Sequence, residues 1–120
     1  MAYKLSRETL EHIAAMNWLK LQYPAIFDCT FHIANERKCS PAYGKILKKM
    51  GVKKGVSDLF IGHPNSSYAG LFIEIKAPGG KLSAEQESFL NLMNAKGYYA
   101  CCSFGADEVI RTIKWYLKLD

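Results

Sequence analysis

GVKKGVSDLFIGHPNSSYAGLFIEIKAPGGKLSAEQ, residues Gly51–Gln86, is the stretch on which the reading of this chain turns. Within it SDLFIG and YAGLFIEIK are rich in β-branched and aromatic residues. The turn-forming HPNSSY between them suggests two strands in a hairpin with its turn near Asn65. Side chains alternate along a strand, so Leu71, Ile73 and Ile75 share one face while Phe72, Glu74 and Lys76 share the other. The second strand is apolar on both faces, which marks it as central, and ionisable groups are almost never fully buried without a partner or a metal. A hairpin centred on Asn65 sets Asp58 across from the Glu74 end of the partner strand. Two carboxylates at close range repel unless a cation lies between them, and their hard oxygens suit an ion such as Mg2+. A solvated Glu-x-Lys surface pair is the plainer explanation of such a tripeptide; the apolar strand around it and the position of Asp58 weigh against that.

The rest of the chain supplies elements to flank such a sheet. A first helix runs from an N-cap at Ser6 to about Gln22, with Leu10, Ala14, Trp18 and Leu21 as its apolar stripe, and Tyr23-Pro24 ends it. FDCTFHIAN, Phe27–Asn35, has the composition of a strand. A second helix opens on Ser40-Pro41 and closes at Gly51, with Tyr43, Ile46, Leu47 and Met50 expected to face inward and Lys45, Lys48 and Lys49 outward. A third starts at Ser83 and stops before Gly97, with Gln86, Phe89, Leu90 and Met93 inward. The strand YYACCSF follows, then a helix from about Ala106 turning Val109, Ile110, Ile113 and Leu117 inward. The order α-β-α-β-β-α-β-α predicts an α/β fold, a mixed β-sheet flanked by helices, in a single domain over residues 1–120.

Sixteen Lys and Arg against eleven Asp and Glu give a net charge of +5. Arg37, Lys38, Lys45, Lys48, Lys49, Lys53 and Lys54 lie in a segment, Arg37–Ser57, without a single acid. Such clustering is either a polyanion footprint or a solvated helix face. No apolar run approaches the roughly 20 residues of a membrane span, so the expectation is a cytoplasmic protein with no membrane partner. Cys29, Cys39, Cys101 and Cys102 lack the paired spacings of zinc sites and read as buried free thiols. A zinc adaptor built on them with His32 or His63 is therefore disfavoured.

The succession G-x-x-x-G-x-x-D, E-x-K, PGGKLSAEQ and NAKGYYACC, with EHIAAMNWLKLQYP and HIANERK before it, resembles the virus-type replication-repair nuclease (VRR-NUC) domain of the PD-(D/E)xK superfamily over nearly the whole chain. The resemblance implies a restriction-endonuclease-like sheet and a Mg2+- or Mn2+-dependent endodeoxyribonuclease that hydrolyses phosphodiesters. By it Asp58 and Glu74 match the metal carboxylates and Lys76 the catalytic lysine. Glu11 matches an acid of the first helix that completes the site, Gln86 matches a glutamine of the helix after the active strand, and Ile75 is counted among the metal ligands. Glu8 is the alternative to Glu11, and Gln86, three residues after Ser83, also fits a capping box. Similarity of short members to Holliday-junction resolvases implies branched DNA, a repair role, a homodimer, and a bacterial or phage-infected host cell. Asn35, Arg37, Lys38, Lys45, Lys48, Lys49, Lys53, Lys54 and Lys81 are the candidate DNA contacts, acting on phosphates rather than bases. The chain departs from the pattern in carrying Ser57 before the aspartate and His12 where a glutamine is usual. The rival reading is a non-catalytic basic nucleic-acid-binding module.

Overall fold

The computed structural model describes residues 4–34 and 39–119. Asn35, Arg37 and Lys38, three of the expected DNA contacts, lie outside the described residues. The elements are α1 (Arg7–Gln22), α2 (Pro24–Asp28), β1 (Thr30–His32), α3 (Pro41–Lys49), β2 (Leu59–Ile61), β3 (Leu71–Lys76), α4 (Ala84–Ala95), β4 (Tyr99–Phe104) and α5 (Ala106–Leu117). The strands form one sheet in the order β1-β2-β3-β4. β1 with β2 and β2 with β3 pair antiparallel; β3 with β4 pairs parallel through the α4 crossover. The mixed sheet with flanking helices is the architecture the sequence predicts.

The expected hairpin is present. Asn65 closes its turn by accepting from the backbone N–H groups of Ser67 and Tyr68 at 2.8 and 2.7 Å, a local turn that asparagine side chains favour. β3 is central and covered on both faces. Leu71, Ile73 and Ile75, with Leu59 and Ile61 of β2, are fully buried against Ala15 and Leu19 of α1 and Val109, Ile113 and Tyr116 of α5. Each such side chain is worth roughly 1.5–3 kcal/mol of transfer free energy. On the opposite face Phe60 meets Phe72 with ring centroids 4.5 Å apart, and Phe72 meets Phe89 of α4 edge-on at 5.2 Å.

Four expectations are corrected. The inward stripe of α1 is not Leu10, Ala14, Trp18 and Leu21. Leu10 and Leu21 are 50% and 80% exposed while Ala15 and Leu19 are buried, because the sheet-facing stripe begins with the polar residues Glu8, Glu11 and His12 and so escapes a search for apolar spacing. Phe27 belongs to a short helix rather than a strand. Pro24 at its first position restarts helical turns whose N–H groups, Ile26 and Phe27, bond to the Tyr23 carbonyl, leaving β1 only three residues. α3 has its Ser40 cap and Pro41 start, but Tyr43, Ile46 and Met50 remain exposed and no α3 residue is buried. Helical periodicity locates an apolar face without telling what covers it. The thiols are free, as expected, yet none is buried: Cys39 is exposed and the others are partly covered.

The turn before Asp58 is held by a glycine with no substitute. Gly55 has φ +88°, and a Cβ there would lie 2.5 Å from the backbone carbon and oxygen of Glu85 and 2.9 Å from Gln86 N. The turn thus rests directly on the first turn of α4. Gly79, at φ +87°, has nothing within 4 Å of the same position. Gly55→Ala should lower the unfolding free energy by roughly 2–4 kcal/mol, adding a clash to the left-handed backbone penalty, whereas Gly79→Ala should lose only about 1 kcal/mol. Denaturant titration of the two variants checks this; equal losses would remove the contact with α4 from the account.

Candidate active site

β2–β3 register places Leu59 opposite Ile73, so Asp58, one residue before β2, falls opposite Glu74. Asp58 is tied down from both sides. Its Oδ2 accepts the Ile75 N–H at 2.9 Å, and its backbone carbonyl accepts the Ile33 N–H at 2.7 Å. Glu74, only 1% exposed, projects from β3 beside it. Lys76 Nζ stands 3.6 Å from Glu74 Oε2, with its side chain 13% exposed. The N–H and C=O of one strand residue point to the same side, so the Ile75 carbonyl points, like its N–H, past the end of β2 toward Asp58.

Gln86 connects α4 to this group. Its Oε1 accepts the Ser83 N–H at 2.9 Å while Ser83 Oγ accepts the Gln86 N–H at 3.1 Å, a complete capping box. With its oxygen so engaged, the amide turns Nε2 to Glu74 Oε2 at 3.3 Å. The capping box and the contact with Glu74 therefore coexist, and the cap fixes which amide atom meets the carboxylate.

The acid that α1 brings to this group is Glu8. Among the described residues, Glu8, Asp58 and Glu74 each bring a carboxylate oxygen within 4.8 Å of the others. Glu11 has different work: its Oε1 accepts the Ala106 N–H at 2.8 Å, at the first turn of α5, and its Oε2 lies 3.3 Å from Arg7 Nε. The Ala106 N–H is the main cause that holds the Glu11 carboxyl below the usual range, with Arg7 adding and partial burial opposing. A helix N-terminus favours a carboxylate in this way. Glu11, expected to complete the cluster, is thus not among the carboxylates that the structure brings together. Glu8 and Glu11 both belong to the inward side of α1, so helical spacing alone admits either; one turn along the axis separates the sheet's carboxylates from the start of α5.

Sequence spacing alone does not bring His12 and His32 to the site. A cavity of about 390 Å³ opens beside the carboxylates, lined by Glu8, Thr9, His12, His32 and Asp58 among others. The two imidazoles meet edge-on, centroids 4.9 Å apart. Burial, with His32 adding, depresses the His12 pKa below the usual imidazole range against the opposing pull of Asp58. On β4, Cys102 stands opposite Glu74, and burial together with the Glu74 charge pushes its thiol up to about 11. At neutral pH the thiol is thus protonated. Ser57, where the resembled pattern has proline, is fully buried with no partner for its hydroxyl among the described residues. Lys45, Lys48, Lys49, Lys53, Lys54 and Lys81 are exposed on α3 and on the turns before Asp58 and α4.

Three carboxylate oxygens at this spacing, one from a buried residue, fit a hard divalent cation and repel one another without it. In chelator, Asp58→Asn, which keeps an acceptor for Ile75, should therefore gain about 1 kcal/mol, a rise in melting temperature of about 4 °C. With Mn2+ at a hundredfold excess over its dissociation constant the wild type should gain about 2.7 kcal/mol and the order should reverse. Scanning fluorimetry in the two conditions checks the pair; an Asp58→Asn protein that melts lower in chelator would show that the carboxylates are not straining the fold.

Comparison with known proteins bears on what such a site belongs to. The VRR-NUC domain profile matches residues 5–103. A solved structure described as a VRR_NUC domain protein superposes with a TM-score of 0.81 at 34% identity, over 98% of this chain and 93% of that one. No curated protein matches significantly. The profile spans α1 to most of β4 and takes in the carboxylates, Lys76 and Gln86, so the chain belongs to the VRR-NUC family of nucleases.

Proposed function

We propose that this protein is a divalent-metal-dependent DNA endonuclease that cuts branched DNA, four-way junctions included, as a homodimer. The observation that carries the reading is the convergence of Glu8, Asp58 and the buried Glu74, with Lys76 beside them. Glu8, Asp58 and Glu74, together with the Ile75 carbonyl, would hold Mg2+ or Mn2+ against the scissile phosphate; Glu8 takes the place expected of Glu11. When bound, the ion would supply charge neutralisation at the phosphate and a more acidic water.

The chain's own groups divide the remaining tasks. Lys76 carries its cation to the edge of the cluster, where it can orient the attacking water or stabilise charge on the phosphoryl oxygens. Gln86 fixes the rotamer of Glu74, because its own amide is locked by the α4 cap. The exposed lysines of α3 and the flanking turns neutralise phosphates, which gives salt-dependent affinity without base readout. The homodimer and the branched substrate are supported by the likeness of short family members to junction resolvases, in which two sites cut symmetric strands.

Purified protein incubated with labelled four-way junctions, flaps and plain duplex in Mg2+ tests this reading. Cleavage should favour the branched substrates and fall at least about 100-fold in Asp58→Ala, Glu74→Ala and Lys76→Ala. Cleavage undiminished in those variants, or none on any DNA while binding persists without divalent ions, would leave only the basic binding module. Equal cleavage of plain duplex would remove the branched substrate.

A further inference from the structure

Resting on the reading of Asp58 as a metal ligand, we infer that His32 is a positioning residue for that ligand, acting through the Asp58 backbone, with His12 holding its ring. Asp58 lies outside the β2–β3 pairing, one residue before its first pair, so the ladder between those strands does not anchor it. What sets its main chain is β1. The Asp58 carbonyl lies 2.7 Å from the Ile33 N–H and 2.8 Å from His32 Nδ1. A carbonyl oxygen has two lone pairs and only accepts, so both are used, and the His32 contact requires the hydrogen on Nδ1. Asp58 is thus gripped by β1 at its carbonyl and by β3 at its carboxylate, through Ile75.

The ring that makes the second of these bonds is exposed on a three-residue edge strand. An exposed imidazole on so short an element would ordinarily sample several rotamers. His12 restrains it: the rings cross at 82° with centroids 4.9 Å apart. His12 follows Glu8 by four residues on α1, so both lie on the same helix face. One face of one helix thereby delivers the third carboxylate of the cluster and the prop that orients the second. The linkage is mechanical; it needs neither proton transfer nor direct contact of His32 with the metal or DNA.

Histidine can be replaced by two amides that separate this role from bulk. Asparagine places an N–H near the Nδ1 position; glutamine places its amide near Nε2 and leaves the Asp58 carbonyl with one donor. Mn2+ affinity of the whole protein, measured by calorimetry without DNA, should weaken about tenfold in His32→Ala and His32→Gln and stay within about threefold of wild type in His32→Asn. Imidazole ¹⁵N shifts should show the hydrogen of His32 on Nδ1 in the metal-free wild type. Equal affinity in all the variants, asparagine failing as badly as alanine, or the hydrogen on Nε2 would overturn the inference. Asp58→Ala run alongside separates the two levels. Mn2+ binding that survives in it sinks the metal reading and this inference together, whereas binding lost in it but intact in His32→Gln sinks the inference alone.

Discussion

Everything at the site depends on one buried carboxylate. Glu74 stands at 1% exposure on the central strand of the sheet, among residues that are otherwise apolar, and a charge in that position has to be compensated locally. Lys76 and Gln86 each approach the same oxygen, Oε2, at 3.6 and 3.3 Å. These contacts are long for charge-assisted bonds, whose usual length is about 2.7–2.9 Å. Asp58 and Glu8 bring further carboxylate oxygens within 4.8 Å, adding like charge beside Glu74. Three carboxylates so placed have the donor chemistry that suits a hard cation.

The surrounding fold keeps these carboxylates together. α4 begins where Gln86 can serve as both cap and partner to Glu74, and Gly55 lets the turn before Asp58 lie on the backbone of the same first turn. Asp58 is clasped between β1 and β3, and Glu11 ties α1 to the start of α5. Each contact uses a local device of secondary structure, a cap, a turn or a helix end, and each also fixes one wall of the site. Stability and function are hard to separate here because the same atoms serve both.

Much of this was legible in the sequence, for reasons that also explain what was not. The β2–β3 hairpin, its turn at Asn65, the Asp58–Glu74 register and the Ser83–Gln86 cap follow from two-residue alternation and local turn chemistry, which act over a few residues. The inward stripe of α1 is polar at one end: Glu8, Glu11 and His12 continue the line of Ala15 and Leu19, and an apolar template passes over them. Choosing between Glu8 and Glu11 needed the position of α5, a contact with Ala106 ninety-five residues away. The exposed apolar side of α3 and the short α2 likewise depend on what packs where, which periodicity does not encode.

The most direct measurement is anomalous diffraction from crystals soaked in Mn2+. The account predicts one strong peak among Glu8, Asp58 and Glu74, close to the Ile75 carbonyl, with Glu11 still bonded to the Ala106 N–H. A site without a peak, or an ion ligated by Glu11 with Glu8 turned away, would contradict it.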